Sequence, residues 1–293
     1  MINTLLQGVL LGGYYALIAA GLSFMFSVMG IINLAHGSLA VLAAYALLVL
    51  AQNYGISPFL GLLVVLPLMA ILGLLLQRFV LDRALRAGPL VPILATFGLS
   101  IVIDNALFEF FGANTRSLGN YIGSLSYDSI ALPGNIYVGT LAVGIFVLAV
   151  VVLVGLQGFL SLTPYGRAIR ATAEDADTAG LVGINARMAT AVASAIALVM
   201  VGLAGAALGM KGTFDAYTGA SQLLFAFESA VIGGTGSVWG TLLGGIVLAL
   251  AQSIGATISP LGFLIAGHAV FLAVLFVRIW LAGGVAGLLR RRA

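Results

Sequence analysis

Apolar residues run almost unbroken through nine stretches of the chain, at 3–28, 38–51, 58–81, 89–110, 138–160, 188–210, 221–235, 240–257 and 262–282. Most reach the roughly 20 residues that a helix needs to cross a hydrocarbon layer. Their ends carry stop signals: Ser57-Pro58, Gly88-Pro89, Leu132-Pro133-Gly134 and Ser259-Pro260. The alternating segments of about ten residues that mark a membrane barrel are absent. The pattern predicts an all-α polytopic membrane protein with about eight or nine transmembrane helices, two of the segments Gly-interrupted or re-entrant. It predicts one transmembrane domain over 1–293, with Met1–Val28 a retained helix rather than a cleaved signal.

Composition agrees. The chain is 62% hydrophobic and 7% charged, where soluble proteins carry about 25% charged residues. So much apolar surface must face lipid. The absence of cysteine removes disulfides and thiolate metal sites. Two histidines far apart, His36 and His268, argue against a His-based metal centre. No catalytic or metal-binding constellation emerges. The net charge of +3 reports membrane topology, not nucleic-acid binding, because of where the charges lie.

Arg78, Arg83 and Arg86 share one loop, Arg167, Arg170 and Arg187 flank another, and Arg278 and Arg290–Arg292 close the chain. The connections 111–137 and 211–220 hold only Arg116 and Lys211. Ten positive charges against two place 81–88, 161–187 and the C-terminus in the cytoplasm. The 111–137 and 211–220 loops are then external. Parity calls for three short segments between 221 and 282 and an N-terminus outside.

Two segments break the apolar pattern: Val28 to Leu39 and Val231 to Leu242. Aligned at an offset of 203, both read Val-Met/Ile-Gly, six residues, then Gly-Ser/Thr-Leu. Matched Gly-interrupted segments in two halves of a chain point to a transport site, although glycines in ordinary hairpin turns also serve close packing. Ser38 and Thr241 are expected to cap the helices that restart there.

Three acids fall inside apolar runs: Asp104, Glu109 and Glu228. Ionisable groups at that depth are functional candidates by default, and Glu109 lies close enough to the interface to be solvated. Asp104 and Glu228 would serve as coupling acids in an ion-driven secondary transporter, one rival reading. A second rival, a Ser221–His268 hydrolase dyad, is weakened by Gln222 where the nucleophile turn requires glycine.

The segment Leu162 to Asn185 is the most informative outside the membrane. Thr163 suits an N-cap with Pro164 at the first helical position, and Gly180 and Gly183 suit terminators. A charged, alanine-rich helix is expected between them. A loop of about 27 residues with its own helix is long for a span-to-span connection, and it reads as a docking element.

Here a resemblance becomes specific. The run Tyr165-Gly166-Arg167-Ala168-Ile169-Arg170-Ala171, then Glu174-Asp175 and Gly183-Ile184-Asn185, resembles the coupling loop of branched-chain amino-acid ABC transporter permeases. Gly30-Ile31-Ile32-Asn33-Leu34-Ala35-His36-Gly37 is similar to a signature of the same family. So are Tyr14 to Ala19, Ala95 to Ser100 and Ala230 to Ser237. The matches recur in order over about 5–255, and the chain most resembles the H-type of the two paired permeases. Its external loop at 111–137 is shorter than is usual in the family.

The resemblance implies a permease subunit of an ATP-driven importer in a bacterial plasma (inner) membrane. Its partners would be a second homologous permease, two cytoplasmic ABC ATPases and an external or periplasmic solute-binding protein. It further implies that 163–185 is the coupling helix, with Tyr165, Gly166, Arg167, Arg170, Glu174, Asp175 and Gly183 meeting the ATPase. Pathway candidates are Asn33, His36, Gly37, Ser38, Thr96, Ser100, Glu228, Gly233, Gly234, Thr235 and Ser237. No Gly-x-x-x-x-Gly-Lys-[Ser/Thr] loop is present, so no cofactor is expected in this chain and ATP with Mg²⁺ belongs to partner subunits. Permeases for urea, amides or other small solutes share these features.

Overall fold

The structure is a computed structural model that describes residues 1–134 and 136–290. Twelve α-helices follow in order: α1 (Ile2–Met29), α2 (His36–Tyr54), α3 (Pro58–Leu76), α4 (Asp82–Ala87), α5 (Val91–Phe111), α6 (Thr140–Leu162), α7 (Pro164–Glu174), α8 (Ala176–Leu181), α9 (Ala186–Lys211), α10 (Gly219–Gly233), α11 (Val238–Ala256) and α12 (Pro260–Arg290). A π-helical stretch, Gln77–Leu81, joins α3 to α4 without a break. Among the described residues, eight helices are long and apolar enough to cross a membrane, and α3 and α4 count as one of them. The seventh apolar run forms α10, which at 15 residues is shorter than a full span.

The bundle is graded from a sealed centre to a bare rim. Helix α1 lies innermost, packed along α11, α9, α10 and α6, and 83% of its most apolar window is buried. By contrast, only 6% of the α12 window and 17% of the α5 window are buried. Those rim helices are apolar on surface that a soluble protein would hide, as expected where the neighbour is lipid or another membrane chain. Close helix approach at the centre depends on small residues: a methyl on Gly12 would meet the backbone of Ile246, and one on Gly73 would meet the backbone of Ser194 and Ala195. Without a hydrophobic drive inside lipid, such backbone proximity is what holds helices together.

Charge divides the bundle into two ends. Arg278 reaches the C-terminal end of α10, where it donates to the Ile232 carbonyl at 3.1 Å, and α7 packs against α1, α6 and α9. With the bond from Ser194 near the start of α9 to Gln77 Oε1 after α3, at 2.7 Å, these contacts gather Arg78, Arg83, Arg86, Arg167, Arg170, Arg187 and Arg278 at one end. Arg291 and Arg292 lie outside the described residues. At the opposite end, the Arg116 and Phe214 backbones pair. There the connection before α6 contains a hairpin, β1 (Ser129–Leu132) with β2 (Ile136–Gly139), in the register Ser129↔Gly139. Gln7 of α1 donates to the Tyr137 carbonyl at 3.1 Å, which puts the start of α1 at this less charged end. The hairpin is a departure from the sequence reading, where Pro133-Gly134 was expected only as a stop before the next span. Four-residue strands around a Pro-Gly turn satisfy their backbone locally.

Candidate functional site

Both predicted breaks are real, and their caps differ from expectation. In the first, α1 stops at Gly30, whose φ of 65° is the left-handed conformation that glycine adopts freely. The chain then returns to start α2 at His36, without a side-chain cap. Asn33 Oδ1 instead accepts from the Ala35 N–H at 3.0 Å. Thr96 of α5 accepts from the Leu34 N–H at 3.1 Å and donates to the Pro92 carbonyl at 2.9 Å. His36 is wholly buried, with Nε2 2.7 Å from the Ile18 carbonyl; because a carbonyl only accepts, this nitrogen carries the proton. Ile18 lies near the middle of α1, so α2 begins at mid-bundle. Ser38, two residues into α2, is not the cap: it is buried beside Asp104 of α5.

The second break is shorter and open. Gly234 and Gly236 have positive φ, and Thr235, Gly236 and Ser237 are exposed. Ser237, not Thr241, caps α11 by accepting from the Gly240 N–H at 3.0 Å, while Thr241 donates to the Ser237 carbonyl at 2.8 Å. Ser23 of α1 accepts from the Gly236 N–H at 3.1 Å. Gly233 and Gly240 face one another so closely that a methyl on either would overlap the other's carbonyl oxygen.

The intramembrane acids separate. Glu228 is 1% exposed, and its Oε1 lies 2.5 Å from Nδ1 of the part-exposed His268 of α12. Its Oε2 has no partner among the described residues. Asp104 and Ser100 lie on the flank of α5, where Ser100 donates to the Phe97 carbonyl. Neither joins Glu228. Ser221 donates to the Thr218 carbonyl at 2.9 Å, and His268 is engaged with Glu228, so the two do not form a dyad.

Sequence reading missed a second set of polar side chains that converge on α1. Tyr14 donates to Gln222 Oε1 at 2.6 Å and Tyr15 to Gln252 Oε1 at 2.5 Å, with the Tyr15 and Phe225 rings 5.2 Å apart. Tyr14, Tyr15, Gln222 and Phe225 border a cavity of about 320 Å³ at the less charged end, whose walls include Leu11, Leu208, Lys211 and Phe263. The tandem tyrosines and the glutamines inside apolar runs were the available signal. Their partners lie 208 and 237 residues away, which no local pattern reveals.

At the basic end the expected single helix is two. Thr163 caps α7 through the Gly166 N–H at 2.9 Å, with Pro164 in the first turn. Asp175 ends α7 and caps α8, accepting from the Asp177 N–H at 3.0 Å, the Thr178 N–H at 3.1 Å and the Thr178 hydroxyl at 2.6 Å. Those bonds favour the ionised carboxylate and hold Asp175 below the usual carboxylate range. Gly183, with φ 86°, closes α8, while Gly180 lies inside it. Ile169 and Thr172 are buried, whereas Tyr165, Arg167, Arg170, Glu174 and Gly183 are exposed. Gly166 is packed under the backbone of Phe159 and Leu160 and shapes the corner between α6 and α7. A shallow groove of about 280 Å³ beside this element is lined by Tyr165, Ala168, Ile184 and Met188.

Comparison with known proteins adds a family to this geometry. The model of the family described as "Branched-chain amino acid transport system / permease component" matches residues 4–280. The chain is 31% identical over 268 residues to the high-affinity branched-chain amino acid transport system permease protein BraD of Pseudomonas aeruginosa, covering 88% of this chain and 87% of that one. It is 27% identical to LivH of Escherichia coli over 87% and 86% of the two chains. It is 26% identical to a probable LivH of Methanocaldococcus jannaschii over 91% and 86%. No solved structure matches. With its helical bundle, its two helix breaks and a match over nearly its whole length, the chain belongs to the branched-chain amino acid transport permease family and is a membrane permease component, not an enzyme.

Proposed function

We propose that this chain imports branched-chain amino acids as one of two permeases in an ABC transporter of the bacterial inner membrane. The basic end, with α7, α8 and the C-terminus, faces the cytoplasm, where two ATPase subunits bind ATP and Mg²⁺. A solute-binding protein delivers substrate to the opposite end. The observation that carries this reading is the α7–α8 element: two short capped helices held between spans α6 and α9, burying Ile169 and Thr172 and turning Tyr165, Arg167, Arg170 and Glu174 outwards. An element so anchored transmits a displacement of its outer face to α6, α9 and α1, which it touches. Rigid-body rocking of those spans would open the pathway to one side at a time.

In this reading, exposed Asp175 and Gly183 belong to the docking face with the four outward side chains, and Gly166 supports it from beneath. Asn33, His36, Gly37, Ser38 and Thr96 shape the mid-membrane break, and Gly233, Gly234, Thr235 and Ser237 shape the cytoplasmic hairpin. Ser100 and Glu228 border the pathway.

The test is a transporter purified with its partner chains and reconstituted in vesicles. Arg167→Ala combined with Glu174→Ala is expected to leave the subunits copurifying while ATP-driven leucine uptake falls at least tenfold, equivalent to about 1.4 kcal/mol. Unaltered uptake would remove the coupling role. Uptake by this chain alone, surviving ATP depletion, would instead favour an ion-driven carrier.

A further inference from the structure

The cavity beside Tyr14 holds an arrangement that the helix breaks and the coupling face leave unused. Lys211, the only lysine in the chain, ends α9, and its ammonium lies 5.2 Å from the centre of the Tyr14 ring. The exposed side chain thus borders the cavity. Among the described residues, no carboxylate lies within ion-pairing distance of it. The ring face and the C-terminal end of α9 compensate the charge in part, but neither supplies a counter-ion. Lys211 also borders a smaller cavity of about 200 Å³ that shares Leu11 and Tyr14 with the first, and the residues lining the two include no acid.

Two side chains of the larger cavity have free donors. Tyr14 spends its hydroxyl proton on Gln222 Oε1. That bond orients the amide, so the Gln222 Nε2 group is left to donate, with only a long 3.4 Å contact to Ser221. Lysine offers donors only. Lys211 and the Gln222 amide thus present donors, which match an anion, beside the hydroxyl groups of Tyr15 and Thr213. The remaining walls, Leu11, Leu208, Phe225 and Phe263, are apolar and match a hydrocarbon tail. At about 320 Å³ the space sits at the low end of the roughly 300–1,000 Å³ range of ligand pockets, which suits a small solute.

From these observations we infer that the cavity bordered by Tyr14, Lys211 and Gln222 is a capture site for a small carboxylate with an aliphatic tail. Lys211 and Gln222 take the carboxylate, and Phe225 and Phe263 take the tail. The inference rests on the importer reading, in which this end faces the delivering protein. It gives the exposed Lys211, which has no ion-pair partner among the described residues, a role beside an aromatic floor: the substrate brings the counter-ion.

The experiment measures equilibrium binding of radiolabelled L-leucine to the complete transporter in nanodiscs, without the solute-binding protein. Lys211→Met is expected to weaken binding at least tenfold, and Lys211→Arg, which keeps the charge, to change it by less than about threefold. 4-Methylpentanoate, which has the carboxylate and tail without the amine, is expected to displace leucine; leucinamide, which lacks the carboxylate, is not. Copurification of the partner chains with Lys211→Met shows that the assembly is intact. Three results overturn the site: no saturable binding by the wild type up to about 10 mM, a Lys211→Met affinity within twofold of wild type, or leucinamide displacing as well as 4-methylpentanoate. ATP-driven leucine uptake, measured in parallel with the binding protein present, separates the two levels. If the wild type imports leucine and any of those results appears, the site falls alone; if it does not import leucine, the importer reading falls and takes the site with it.

Discussion

Two segments with nearly the same glycine spacing, 28–39 and 231–242, end in different environments. The first is sealed: Asn33, Ala35 and His36 are buried, Thr96 holds it from α5, and α2 restarts halfway up α1. The second emerges at the basic end, where Thr235 and Ser237 are exposed and a serine cap closes the next helix. Their second glycines also differ in what they touch. Gly37 meets Gly219 at the start of α10, whereas Gly240 meets Gly233 of its own hairpin. One glycine joins elements far apart in sequence, and the other closes a local turn. Spacing sets where a helix can stop; the neighbours decide whether the stop becomes a membrane-centre junction or an end-of-bundle corner.

The largest expected effect follows from that contact. A methyl on Gly37 would overlap the Gly219 carbonyl oxygen, and overpacking against fixed backbone costs about 1–3 kcal/mol or more. Because the contact ties α2 to α10, Gly37→Ala should lower the unfolding temperature in detergent and raise hydrogen exchange across both helices. Gly240→Ala should confine its effect to 231–242. Equal and equally widespread exchange in the two variants would erase the distinction between the breaks.

A smaller pair separates a buried backbone bond from an exposed cap. Asn33→Leu removes the acceptor of the buried Ala35 N–H, and an unsatisfied buried donor costs about 1–3 kcal/mol. Ser237→Ala removes a cap at an exposed end, worth about 1 kcal/mol. Thermal unfolding of the purified complex should therefore fall further for Asn33→Leu. The opposite order would mean that water reaches the first break and shelters the Ala35 donor.

How far the sequence foretold this follows the same divide. Apolar run length gave the spans, and arginine distribution gave the two ends, because both are local properties summed over many residues. The breaks are legible as glycines, yet of the two restarting helices only α11 has a side-chain cap, Ser237, one turn before Thr241. Ser38 and Thr241 look like caps only when helix starts are counted from the glycine before them; in the fold, Asn33 and Ser237 intercept the backbone earlier. The resemblance carried in Ala95 to Ser100 included Thr96, but nothing local indicates that Thr96 reaches Leu34, 62 residues away. Lys211 was legible only as a loop charge. Its place beside the cavity depends on α1, α9, α10 and α12 meeting there.

A third break, wholly in water, extends the comparison to its weakest case. Asp175 divides α7 from α8, and its carboxylate accepts three hydrogen bonds from residues 177 and 178. Its folded-state pKa is depressed by the Thr178 side chain and backbone and by Asp177. A depressed carboxylate stabilises the fold at pH values above the unfolded pKa of about 3.9, and that contribution disappears as pH falls through the lower folded value. Protection of amides 176–181, corrected for intrinsic exchange, should therefore be full at neutral pH and decline on acidification below about pH 4. Asp175→Asn keeps a capping side chain but cannot titrate, so its protection should match wild type at neutral pH and lack the acid decline. The exposed break is thus the one whose stability responds to the solution. If protection of 176–181 falls with acid to the same extent in both proteins, the loss comes from outside the cap, and the α7–α8 junction owes its stability to Ile169 and its packing against α9 instead.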